Sequence, residues 1–233
     1  MSFGPEVYNA ASTVMYSAQG AALSALALTE AYTAYKPGGR LKSVPPLAFL
    51  LSGAVMFLAM LYFLGGWSLG NALLSLRLNS GFYVFVSLAC FYSSAGLSRL
   101  AFLFSGEKSL GWHYLFMVLL GITALLYLYL SGKAAPGAAA EAAAANSRFG
   151  FILLAAVLFK FLHEFRPLKV FNLAWIGLLF IVSFQLLGYR KVDGALELRA
   201  ASLLTSSRMV LPKAAAGVPI NNVKTAHPKR AGN

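Results

Sequence analysis

The sequence predicts an all-α fold, a polytopic helical membrane protein with four to six transmembrane helices, and three observations carry that expectation. Of the 233 residues 59% are hydrophobic and 11% charged, whereas a soluble domain has about 25% charged residues. The apolar residues come in blocks of about twenty rather than at the spacing of half-buried helices or strands, which is the pattern of membrane spans. The net charge of +12 sits in hydrophilic connectors and a C-terminal tail. No basic helix and no aromatic-interleaved basic patch appears, so these cations are expected to orient the chain and meet anionic lipid headgroups, with no nucleic acid as partner.

Residues 1–45 come first, as an Ala-rich helix and a basic linker. Residues 1–35 lack Lys and Arg, so the basic n-region of a cleavable signal is missing. Over 7–35 the strongly apolar residues are Val7, Val14, Leu23, Leu26 and Leu28. At about −0.3 to −0.6 kcal/mol each they offset little of the insertion cost of Asn9, Gln19 and Glu30. This segment is therefore expected to lie at the interface or against other helices rather than to cross alone. Met15, Ala18, Ala22 and Leu26 form a stripe, and Ser12, Gln19 and Glu30 fall near one line beside it. Pro37, Gly38 and Gly39 stop the helix.

Five spans are expected over 46–189. The first, 46–67, is uncharged, with prolines at its start where a helix tolerates them and Trp67 at its exit. A connector at 68–79 leads to 80–104, whose single cation, Arg99, lies close enough to the end to snorkel or to pair with Glu30, Glu107 or Glu164. Ser87, Ser93, Ser94, Ala95, Gly96 and Ser98 give this helix a small-residue stretch suited to helix packing. The turn at 105–109 is so short that 110–131 returns as a helical hairpin, belted by Trp112, Tyr114, Tyr127 and Tyr129. An Ala-rich segment at 132–148 reads as a loop or short surface helix. The run 149–165 follows, near the lower length limit for a span, with Lys160, His163 and Glu164 in its last two turns. Pro167 breaks the chain before the last span, 168–189, and residues 190–233 form a basic, largely irregular tail.

Counting Lys and Arg near span ends places equal numbers on both sides of a five-span chain, so only the distal basic residues favour a cytoplasmic tail. Which membrane is involved does not follow from composition. The lone Cys90 excludes an intramolecular disulfide and a multi-cysteine metal site. No phosphate-cradling loop, His box or HExxH motif appears, so neither a cofactor nor a metal is expected.

Two candidate functional positions remain. Arg99 is one, because an ionisable residue inside a span is a functional hypothesis by default. Lys160, His163 and Glu164 are the other, as the densest ionisable group; adjacent His163 and Glu164 diverge by about 100° on a helix, while Lys160 and Glu164 are four apart and can pair. The resulting expectation is a non-enzymatic membrane protein that works as a structural or assembly component of a larger complex, through contact with other membrane proteins or itself. A small carrier or channel, with Arg99, Asn172 and Gln185 along a path, is the alternative, and a lipid-acting enzyme comes third.

Overall fold

The computed structural model describes residues 5–36, 40–78, 82–133 and 139–189. Among the described residues seven α-helices follow one another: α1 (Pro5–Tyr35), α2 (Val44–Gly65), α3 (Leu69–Leu78), α4 (Phe82–Phe104), α5 (Leu110–Lys133), α6 (Ala139–Phe165) and α7 (Lys169–Gly188). A 3-10 turn, Arg40–Ser43, precedes α2. Five of these elements are long and apolar enough to cross a bilayer: Leu41–Gly65, Tyr83–Phe104, Leu110–Gly132, Ala140–Phe165 and Lys169–Gly188. The chain is an integral, multi-pass, all-α membrane protein. The basic tail expected at 190–233 lies outside the described residues.

The six long helices close into a ring in chain order: α1 packs on α2, α2 on α4, α4 on α5, α5 on α6, α6 on α7, and α7 back on α1. Each neighbouring pair is antiparallel. The connecting segments 40–43, 105–109 and 166–168 therefore share one face of the ring, and Lys42 pairs with Glu107 across two of them. α1 is not apolar enough to count as a span, yet at 31 residues it is about 46 Å long, ample for a hydrocarbon core of about 30 Å. It buries Ala11, Met15, Ala22, Leu23, Leu26 and Ala27 against its neighbours. Packing, rather than hydropathy, holds it in the wall.

Local chemistry explains the turns. α2 has proline in its first turn, where the missing N–H is one the helix leaves unpaired anyway. It ends at Gly66, whose φ of 52° lets the Gly66 and Trp67 N–H groups donate back to the Tyr62 and Leu61 carbonyls. Gly106 (φ 67°) and Glu107 (φ 63°) end α4 in the same way, and this tight reversal makes the α4–α5 hairpin. Between α2 and α4 the approach is close because Gly96 has no side chain: a Cβ there would lie 2.8 Å from the Pro46 carbonyl oxygen and 2.9 Å from the Leu50 nitrogen.

Two stretches differ from the sequence expectation. The connector 68–79 contains a helix, α3, held to the end of α2 by a bond from Ser75 Oγ to the Leu64 carbonyl at 3.0 Å. The Ala-rich segment 132–148 is helical from Ala139 onward and forms the first turns of α6, which becomes a 27-residue helix instead of a minimal one over 149–165. Alanine has the highest helix propensity, and Ala142 and Ala145 are buried against the ring, so composition that resembles a loop continues the span.

Candidate functional site

The residues with ionisable chemistry come together near the short-connector face. Glu30 lies just over a turn from the end of α1, Arg99 the same distance from the end of α4, His113 in the first turn of α5, and Lys160 and Glu164 near the end of α6. Arg99 Nη2 donates to Glu30 Oε1 at 3.3 Å, and Lys160 Nζ donates to Glu30 Oε2 at 3.2 Å. Arg99 Nη1 lies 3.0 Å from His113 Nδ1. A guanidinium can only donate, so Nδ1 accepts and the imidazole proton sits on Nε2, which donates to Glu164 Oε1 at 3.3 Å. Lys160 Nζ is 3.9 Å from that same oxygen. The five side chains thus form a closed circuit, Glu30–Arg99–His113–Glu164–Lys160–Glu30.

This circuit is electrically balanced: two cations, two carboxylates and a neutral imidazole. An unpaired Arg at a span centre costs about 2.5–3.5 kcal/mol on the insertion scale, and balance is what makes the arrangement tolerable. Arg99 also lies over the Phe102 and Phe116 rings, 5.4 and 5.6 Å from their centroids. The five side chains retain between 10% and 29% of their exposure, so the circuit is partly open to the short-connector face. By contrast Lys42 and Glu107 stand over 40% exposed, and such pairs contribute about 0–1 kcal/mol.

Further along the ring interior the polar groups are uncharged. The Tyr127 hydroxyl donates to Gln19 Oε1, Gln19 Nε2 donates to Met56 Sδ at 2.9 Å, and the Tyr16 hydroxyl donates to Asn146 Oδ1 at 2.9 Å. Gln19 and Glu30 are separated by about 16 Å along α1. Fully buried Leu23, Leu26, Leu120 and Leu153 occupy that interval on α1, α5 and α6. The interior is therefore layered: a charged layer near one face, an apolar layer, and a neutral polar layer toward the other. α1 joins helices that are not its ring neighbours at both polar levels, through Glu30 to α4 and α6, Gln19 to α5, and Tyr16 to α6.

The sequence candidates separate. Arg99, Lys160 and Glu164 belong to the circuit. Arg99 reaches a carboxylate on another helix instead of snorkelling to lipid, and Lys160 approaches Glu30 more closely than its i+4 neighbour Glu164. His163 does not belong: it is half-buried and its Nδ1 lies 3.1 Å from the Leu168 carbonyl oxygen, which ties the α6–α7 turn. His113, which was not among the sequence candidates, takes the imidazole role, and 92% of its surface is buried. Asn172 is partly buried near the start of α7, and Gln185 Oε1 is buried without a hydrogen-bond partner near its other end. Among the described residues no three of His, Cys, Asp and Glu gather so as to hold a metal ion. No family model, curated protein or solved structure matches the chain.

Proposed function

We propose that the protein is a small carrier for an ion or small solute, with a path along the inward line of α1 and a gate at the five-residue charge circuit. The observation that supports this reading most is the layering. Ionisable groups inside a helix bundle are costly and are by default a functional-site hypothesis, and here they are set apart from a second polar level by an apolar barrier. Alternating access needs such a barrier together with an element that can change its polar partners. α1 fits the second requirement, because its bonds across the ring are polar and exchangeable. The test is flux from liposomes containing the purified protein under an imposed ion or solute gradient. Transport abolished by Arg99→Ala is expected; no flux above protein-free liposomes across a panel of small ions and solutes would refute the reading.

A structural or assembly role is the second reading, and one observation favours it. A groove of about 420 Å³ between α1 and α2 is lined by small side chains, among them Thr13, Ser17, Ala18, Ala21 and Ala48, which suits close approach of another transmembrane helix. Purification in mild detergent with identification of co-purifying chains tests it, and a strictly monomeric protein would count against it.

A further inference from the structure

The geometry points to a small carboxylate monoanion, taken up together with one proton, as the substrate of the charge circuit, with Arg99 and Lys160 as its binding pair and Glu30 as the internal occupant it displaces. This inference rests on the carrier reading and specifies its substrate class.

Glu30 marks out the site. Its two carboxylate oxygens are held by cations from two separate helices, Arg99 of α4 at 3.3 Å and Lys160 of α6 at 3.2 Å, and neither helix is a ring neighbour of α1. The place between these cations is shaped for a carboxylate, whichever molecule carries it. Both distances exceed the 2.7–2.9 Å, approximately, of a tight charge-assisted bond. One donor beside the carboxylate is unused. Arg99 Nε is buried with no hydrogen-bond partner, and the indole of Trp175 lies beside Glu30. An Arg edge with a free Nε–H beside Nη–H is the fork that grips a carboxylate through both oxygens.

Charge balance supplies the proton. The circuit is neutral as it stands, so a bound anion alone would leave an uncompensated negative charge inside the bundle. One proton restores neutrality, and His113 Nδ1 is the place for it. That lone pair is occupied by Arg99 Nη1 and becomes free when the guanidinium turns to the substrate. The groups facing the imidazole are Arg99 from α4 and Glu164 and Lys160 from α6, and with Nε2–H already on Glu164 the resulting imidazolium lies beside a carboxylate. Anion and proton enter together and leave together, with no other reactant.

The experiment uses the full chain and pyruvate as the probe, with sulfate as a dianionic control. Calorimetric titration in detergent is expected to show saturable pyruvate binding that is lost in Arg99→Gln. Glu30→Gln is expected to bind pyruvate at least about tenfold more tightly, because apparent affinity is reduced by the fraction of time the internal carboxylate fills the site. Misfolding cannot produce tighter binding. In liposomes enclosing a pH-sensitive dye, uptake of one proton per pyruvate is expected, with proton uptake lost in His113→Gln. Absence of pyruvate binding in both the native protein and Glu30→Gln, or preference for sulfate, overturns the proposal. If Arg99-dependent flux of other solutes is then still observed, the carrier reading stands without this substrate. Tightened binding without any flux would instead remove the carrier reading and leave the carboxylate site.

Discussion

Replacing Gly96 by alanine puts one methyl group into a close contact of α4 with the backbone of α2. The added Cβ would lie 2.8 Å from the Pro46 oxygen and 2.9 Å from the Leu50 nitrogen and Cγ. Two of these atoms are backbone within α2 and cannot rotate away, so the helices must separate by about half an ångström to restore ordinary contact. A gap of that size forfeits a quarter to a half of each dispersion well of about 0.1–0.2 kcal/mol, and over about 30 atom pairs the loss is about 1–2 kcal/mol. Gly53→Ala should cost less, because its nearest obstacle is the Ser93 hydroxyl, which can adopt another rotamer. Gly177 has nothing within 4 Å of its Cβ position and is the neutral control. Reversible unfolding of the three variants in mixed detergent micelles measures the order. Gly96→Ala within about 0.5 kcal/mol of the native protein, the ordinary range for an inconsequential change, would refute the packing argument. The contact also bears on the site, since Arg99 lies one turn beyond Gly96 and its bond to Glu30 is already long at 3.3 Å.

Two further outcomes test other parts of the structure. Tyr127→Phe strands the Gln19 carbonyl inside the bundle and should cost about 1–3 kcal/mol, whereas adding Gln19→Leu should recover most of that loss because no acceptor is then left unpaired; a neutral Tyr127→Phe in the same unfolding assay would show that the bond contributes nothing. With the exposed Cys90 replaced by alanine, single cysteines at Lys36, Lys108 and Arg166 should react with an impermeant maleimide from one side of the membrane and a cysteine at Ser68 from the other; any of the three labelling with Ser68 would break the antiparallel ring.

The five spans were legible because sustained apolar runs leave little else for a chain to do, and the turn at 105–109 was legible from its brevity. The line of Ser12, Gln19 and Glu30 on α1 was visible too, but its meaning was not: nothing in a helical wheel says whether a polar line faces lipid headgroups or the centre of a ring. His113 was missed because Trp112 and Tyr114 on either side make it look like part of an aromatic girdle. A signal existed. The hairpin turn places residues a few positions before 105 opposite residues a few positions after 109, so Arg99 and His113 were bound to be near one level. His163 misled for the opposite reason, because nearness in sequence to Lys160 and Glu164 counts for little when adjacent helical residues diverge by about 100°. The alanines of 139–148 were ambiguous in principle, since their propensity favours a helix while their low hydrophobicity gives no span signal.

Because ring order is chain order, every neighbouring pair except α1 with α7 joins helices that are consecutive or nearly so, and contacts of that kind form early. The polar bonds across the interior are different. They link residues 69 positions apart for Arg99 and Glu30, 108 for Tyr127 and Gln19, and 130 for both Lys160 with Glu30 and Tyr16 with Asn146. During synthesis α1 is made first and has to wait for α4, α5, α6 and α7 before its carboxylate, its amide and its second apolar wall are satisfied. The helix least able to hold itself in a membrane is thus the one whose stability arrives last, and membrane integration of α1 coincides with closure of the ring.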